Sequence, residues 1–225
     1  MQKPDIIVTL ARNVDFSVWR WNVQRFRHYF AKVIVCWEGL GQPENYQKFV
    51  EEKGLFGWDI DFLDSPVVGS GQDWRDIAVN ASLGRSTSEW IWFMEQDFLW
   101  KDKAFLETLF EIEDPYEIRA LVETRLHPAC ILVSRQAVER TSKNFGIKVN
   151  VSDHFSIFTE QVEKFCKIRK IEELSLHDKI HWWHLAGLTH NYRLCLEGAF
   201  NQVYKPDEFL IYNYYARRVP VEQDS

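Results

Sequence analysis

"EWIWFMEQDFLW", Glu89 to Trp100, runs five apolar side chains, Trp90 to Met94, into Glu95, Gln96 and Asp97 before turning apolar again. A strand with one wet face alternates, whereas a run without a polar position suits a strand covered by helices on both faces, as in a parallel sheet. Carboxylates just past its carboxyl end would emerge in the crevice where open α/β sheets take their ligands. Glu95 and Asp97, two apart, can turn toward one hard cation if the chain bends there, and Mg²⁺ or Mn²⁺ commonly bridges such carboxylates to substrate phosphates. Solvated acids in a strand-to-loop turn are the alternative.

The flanking sequence supplies a setting for such a strand. Asp5 to Leu10 is β-rich, and Trp19, Val23, Phe26 and Phe30 then recur at spacings of four, three and four, which predicts a helix with one buried face. Lys32 to Trp37 reads as a second strand, so residues 5 to 37 form a strand, helix, strand unit of βαβ size. Tyr46 to Lys53 reads as a short helix and Asp59 to Leu63 as a third strand, followed by the Gly- and Ser-bearing loop "DSPVVGSGQ". Trp74, Ile77, Ala78 and Ala81 predict a helical stripe with Asp73 as its cap.

Past the opening stretch, the pattern predicts a helix over Ala104 to Ile112 and strands over Ile118 to Glu123 and Ala129 to Val133. Helices are expected over Arg135 to Thr141 and around Phe155, Phe158, Val162 and Phe165. "EFLIYNYYARR" near the end reads as a strand or an aromatic tail. No repeat or linker divides the chain, so a single domain over 1–225 is expected, with functional halves at 1–100 and 101–225.

With 225 residues, 46% of them hydrophobic, the chain can bury a substantial core. Its net charge of −6 is spread along the sequence, which argues against a nucleic-acid binder held by a basic surface. Cys36, Cys130, Cys166 and Cys195 form no CxxC pair, so a reduced, cytoplasmic compartment is the simplest expectation. No stretch approaches the ~20 apolar residues of a spanning helix; a soluble protein is expected, with peripheral membrane association open.

In the order of its parts the chain resembles the nucleotide-sugar-dependent glycosyltransferases of the GT-A fold, particularly the family 2-like group. "IIVTLARN" resembles the first strand and its nucleotide-contacting turn, and "VIVCWEG" the second strand ending in an acid. "GQDWRDIAVNASLGRSTSEWIWFMEQD" is similar to the family's helix, small-residue turn, buried strand and D-x-D metal motif, written here as E-x-D. The resemblance covers the first hundred residues well and the rest loosely. It implies an α/β, Rossmann-like, mainly parallel sheet flanked by helices, and transfer of a sugar from a nucleoside diphosphate to a glycan or other hydroxyl-bearing acceptor, with inversion.

The resemblance also implies roles. Arg12, Asn13 and Glu38 would surround the base and ribose, and Arg75 would reach a phosphate or the base; ordinary turn polarity is the alternative for the first three. Asp97 would carry most of the coordination of Mn²⁺ or Mg²⁺, with Glu95 helping or turned to the ribose. Asp153, in "SDHF", falls where the family has its catalytic base, although a helix cap explains it as well. The His127 to Thr141 stretch resembles the acceptor-side strand and helix and reads as architecture.

"LHDKIHWWHLAGLTHNY" holds His177, His181, His184 and His190. If it is helical, the first three share a face; without HExxH or supporting Cys a zinc site has little support, and packed histidines are an alternative. The resemblance places a C-terminal metal ligand here, for which His184 is expected ahead of His181 and His190. Trp182 and Trp183 can form a platform for an acceptor sugar or pack in the core. Arg217 and Arg218 can close on a diphosphate or face solvent. A GT-A-shaped protein that binds nucleotide or glycan without turnover is the second reading. A nucleotidyltransferase is the third, weakened because "TLARNVDFS" lacks the glycines of a phosphate loop.

Overall fold

The computed structural model describes residues 3–10, 23, 26–37, 60–64, 73–95, 98–146, 154–178 and 180–184. Strands β1 (Asp5–Leu10), β2 (Val33–Trp37), β3 (Ile60–Asp64), β4 (Trp90–Glu95), β6 (Glu117–Val122), β7 (Leu126–Ser134) and β8 (Lys167–Lys170) form one sheet in the order β3-β2-β1-β4-β7-β6-β8. β1 pairs in parallel with β2 and β4, β2 with β3, and β6 with β8, whereas β7 runs antiparallel to both neighbours. A second sheet pairs β5 (Phe98–Trp100) with β9 (Trp182–His184), antiparallel. The architecture is the expected one: a mainly parallel central sheet with helices against it.

The opening stretch is β4, buried at every position from Trp90 to Met94. Side chains alternate along a strand, and here each face has its own core. Trp90, Trp92 and Met94 join Ile6, Val8, Val33, Phe26, Phe30 and the buried face of helix α2 (Lys103–Phe110). Ile91 and Phe93 join Ile7, Ile34 and helix α1 (Asp73–Arg85) through Val79 and Leu83, together with Phe145, Phe155 and Phe158. Each such side chain contributes roughly 1.5–3 kcal/mol when removed from water, so facing both ways is what holds β4 at the centre.

Local rules place the helices. Asp102 accepts the Phe105 N–H at 3.0 Å to cap α2, and Ser134 accepts the Ala137 N–H at 3.0 Å to cap α3 (Arg135–Glu139). α4 (Ser156–Val162) is entered through Phe155 at φ 64°, a left-handed conformation rare for an aromatic residue, with its ring among Phe93, Phe145 and Phe158.

Three expectations are corrected. Val23, Phe26 and Phe30 are buried as foreseen and Val23 is helical, but Arg27–Tyr29, at the end of the expected helix, is a 3-10 turn. In α1 the buried face is Ala78, Val79, Ser82 and Leu83, while Ile77 and Ala81 are exposed. Ser82 disguised that face: its hydroxyl donates to the Ala78 carbonyl at 2.8 Å and so enters the core satisfied. The histidine-rich segment is not helical through His184; His181 N–H donates to the His177 carbonyl in a turn and the chain then extends as β9. Trp19, the Tyr46 to Lys53 helix, the loop after β3 and "EFLIYNYYARR" lie outside the described residues.

The start of β4 is fixed by a buried carboxylate. Asp5 Oδ2 accepts from Ser86 Oγ at 2.8 Å, Thr87 N–H at 2.7 Å and Ser88 N–H at 2.9 Å, while Oδ1 accepts from Ser88 Oγ at 2.9 Å. Arg135 holds the same turn from the other side, donating Nη2 to Ser86 Oγ at 2.7 Å and Nε to the Ser88 carbonyl at 2.9 Å. Asp5→Ala strands several of these donors in the interior and should cost about 3–5 kcal/mol, read by urea unfolding. A loss within about 0.5 kcal/mol, the range of an ordinary surface substitution, would contradict this role for the latch.

Candidate metal centre

Because β7 alone is reversed, its amino end lies at the same sheet edge as the carboxyl ends of its neighbours. That geometry brings His127, near the start of β7, to Glu95, the last residue of β4. The β4/β7 register runs from Trp90 opposite Ser134 to Met94 opposite Cys130; before Ile131 the pairing of β7 with β6 shifts, and this irregular stretch of β7 carries His127 to the end of β4. Pro128 restricts His127 to extended backbone, and the Ala129 N–H donates to His127 Nδ1 at 3.2 Å, which steadies the ring.

The third group arrives on β9. Phe98, Leu99 and Trp100 pair with His184, Trp183 and Trp182, and the Lys101 N–H donates to the His181 carbonyl at 2.9 Å, extending the ladder. Trp182 anchors β9: its ring stacks on Phe98 at 5.4 Å and its indole N–H reaches the Leu176 carbonyl at 3.2 Å. At 4% exposure it belongs to the core, the packing role among those expected of it. His184 follows two residues later, its ring 4.6 Å from that of His127 and edge-on to it.

Glu95, His127 and His184 each offer one ligand atom, all within 4.8 Å of one another, and His184 Nε2 lies 4.0 Å from Glu95 Oε2. Burial lowers the pKa of both histidines. His184 lowers that of His127 further, and the charge of Glu95 pulls both the other way without prevailing. Two neutral imidazoles and a carboxylate are a ligand set that a divalent ion accepts, and neutral nitrogen is the form that coordinates. Glu123 and Asp178 add negative charge near His184 that favours a cation there.

Arg125 ties a further segment to this edge. It is buried, its Nε donates to the His154 carbonyl at 3.0 Å, and the adjacent Leu126 N–H donates to Thr159 Oγ1 at 3.2 Å. The turn into α4 is thereby fastened to the residues that precede His127.

Of the expected metal ligands, Glu95 and His184 come together; Asp97 lies outside the described residues. So do Arg12, Asn13, Glu38, Asp153, His190, Arg217, Arg218 and the side chains of Arg75 and Trp183. His181 turns back on the preceding turn, where its Nδ1 accepts the His177 N–H at 3.1 Å. His127, expected as architecture, is the residue that the sequence reading missed.

No family model matches the sequence, and no curated protein matches it. Among solved structures, the mannosyltransferase PcManGT from Pyrobaculum calidifontis, in complex with GDP-Man and Mn²⁺, is similar at TM-score 0.56 and 11% identity, over 96% of this chain and 74% of that one. TarS from S. aureus is similar at 0.53 and 13%, over 96% of this chain and 43% of its own. 4-Diphosphocytidyl-2C-methyl-D-erythritol synthase from Anaerococcus prevotii is similar at 0.50 and 10%, over 75% and 87%. The likeness is one of fold: the chain has a GT-A-like sheet similar to the sheets of these enzymes.

The lowered histidine pKa values carry a pH dependence. The unfolded chain takes up protons on these imidazoles near the ordinary value of 6.5, above the folded values. Stability of metal-free protein is therefore fully present above that value and is lost as pH falls through it. Urea unfolding in chelator between about pH 7 and pH 5 should show this fall, and His127→Gln should make it shallower; equal slopes in the two proteins would contradict it.

Proposed function

We propose that the chain is a metal-dependent glycosyltransferase, moving a sugar from a nucleoside-diphosphate sugar to the hydroxyl of a glycan or other acceptor with inversion at the anomeric carbon. The observation that carries this reading is the cluster of Glu95, His127 and His184 at the carboxyl edge of a GT-A-like sheet. Residues 1–100 form the donor half of one domain and 101–225 the acceptor half, so the cluster draws on both.

Glu95, His127 and His184 hold a divalent ion, for which the family resemblance implies Mn²⁺ or Mg²⁺ and the ligands themselves narrow the choice below, and Asp97 adds a second carboxylate. When bound, the ion neutralises charge developing on the leaving diphosphate. Arg12, Asn13 and Glu38 hold the base and ribose, and Arg75 approaches a phosphate. Asp153 takes the proton from the acceptor hydroxyl as it attacks, which requires an ionised carboxylate within hydrogen-bond reach. Its neighbour His154 is held by Arg125 two residues from His127, which supports a base entering from that side. Trp183 offers a ring to the acceptor sugar. Among the described residues no helix is long and apolar enough to cross a membrane. Cys130 and Cys166 are free thiols, and a cytoplasmic site of action fits them.

Replacement of D-x-D by E-x-D favours one second reading, a GT-A-shaped protein that binds nucleotide or glycan without turnover. Thermal unfolding with UDP, GDP or CDP, with and without Mn²⁺, separates these readings in two stages. Stabilisation by a diphosphate should require the ion and disappear in Asp97→Asn; binding indifferent to metal would count against the transferase. Donor turnover should then fall about 10²–10⁴-fold in Asp153→Asn, and unchanged turnover would remove that residue from the mechanism.

A further inference from the structure

Glu95, His127 and His184 differ in kind from a pair of carboxylates, and the difference bears on which ion the site takes. Two of the three donors are imidazole nitrogens, set on separate strands, His127 on β7 and His184 on β9. Mg²⁺ and Ca²⁺ are hard ions that seek oxygen; Mg²⁺ also gives up its water reluctantly and demands near-octahedral oxygen geometry. Imidazole with carboxylate suits Zn²⁺, Co²⁺, Fe²⁺ and, less tightly, Mn²⁺. With Asp97 added the set becomes two nitrogens and two oxygens, still half imidazole.

Size agrees with chemistry. Ligand atoms that share one such ion at about 2.0–2.2 Å lie about 3.0–3.5 Å from one another. The cluster spans at most 4.8 Å, and its Glu95 to His184 separation of 4.0 Å closes to that range with a small movement of one side chain. The surroundings are dry on the side of the cores: Ala129 and Cys130 are fully buried beside His127, and Trp182 beside β9 is 4% exposed.

We propose that Glu95, His127 and His184 form a two-imidazole, one-carboxylate centre that selects a nitrogen-accepting first-row transition ion and rejects Mg²⁺ and Ca²⁺. This rests on the transferase reading only in placing the ion at the donor edge; the selectivity follows from the ligands themselves. His127 is the discriminating residue, because without it the cluster keeps one nitrogen and one carboxylate.

The test uses full-length protein stripped with chelator. Zn²⁺ affinity is read by competition with a chromophoric chelator, Co²⁺ by its visible absorption, and Mn²⁺, Mg²⁺ and Ca²⁺ by calorimetry. Zn²⁺ and Co²⁺ should bind at least about 100-fold more tightly than Mg²⁺. His127→Ala and His184→Gln should each weaken Co²⁺ by about 100-fold or more and alter its spectrum. Chelator-treated variants are first compared with the parent by circular dichroism and thermal unfolding, so that lost binding is scored only in folded protein. Mg²⁺ binding as tightly as Co²⁺, or Co²⁺ affinity unchanged in folded His127→Ala, overturns the proposal. Selective Co²⁺ binding without any nucleoside-diphosphate effect supports it while removing the transferase reading; diphosphate binding that needs Mg²⁺ at this site does the reverse.

Discussion

Everything in this fold is arranged around a strand with no solvent face. β4 is buried on both sides, and its two rows of side chains belong to two different cores. A central element of that kind cannot slip by one residue without exchanging the side chains each core expects. Its end is therefore as fixed as its middle, and Glu95 inherits that precision. Asp5 and Arg135, gripping the turn at the other end, complete the constraint.

The reversed strand is what converts this rigidity into a site. In an all-parallel sheet the neighbour of β4 would present its own carboxyl end, reached after a crossover. Instead β6 and β7 form a hairpin, and β7 begins at the edge where β1 and β4 end. Burial of the cluster lowers the pKa of its histidines, so the same desolvation that penalises their charged form favours the neutral form that donates a lone pair.

Much of this was legible in the sequence, and the misses have physical causes. Continuous apolar runs marked β1, β2 and β4, because burial on both faces leaves no room for polar residues. The face of α1 was misread because Ser82 satisfies its hydroxyl within its own helix, something composition does not show. His127 was passed over although a signal existed. Strands placed at 118–123 and 129–133 are too close for a crossover helix, so they had to pair antiparallel, which delivers the start of the second to the edge where Glu95 ends. His184 could be expected only through family resemblance, since its position depends on a three-residue ladder with β5 that has no periodicity to read. Asp97, Asp153 and the nucleotide-side residues remain expectations carried by sequence.

Phe155 shows how such a molecule distributes its compromises. Its left-handed backbone is a cost that glycine would escape, worth about 1–2 kcal/mol, yet glycine would empty a ring position whose loss costs about 3–5 kcal/mol. Packing outweighs conformation, so the aromatic residue persists in a geometry it disfavours. The neighbouring peptide, whose carbonyl Arg125 holds, is thus pinned from two directions, by a side chain that cannot leave the core and by a guanidinium on the adjoining hairpin. Adaptation at this end of the protein is therefore coupled: the bend changes only together with the aromatic core beneath it.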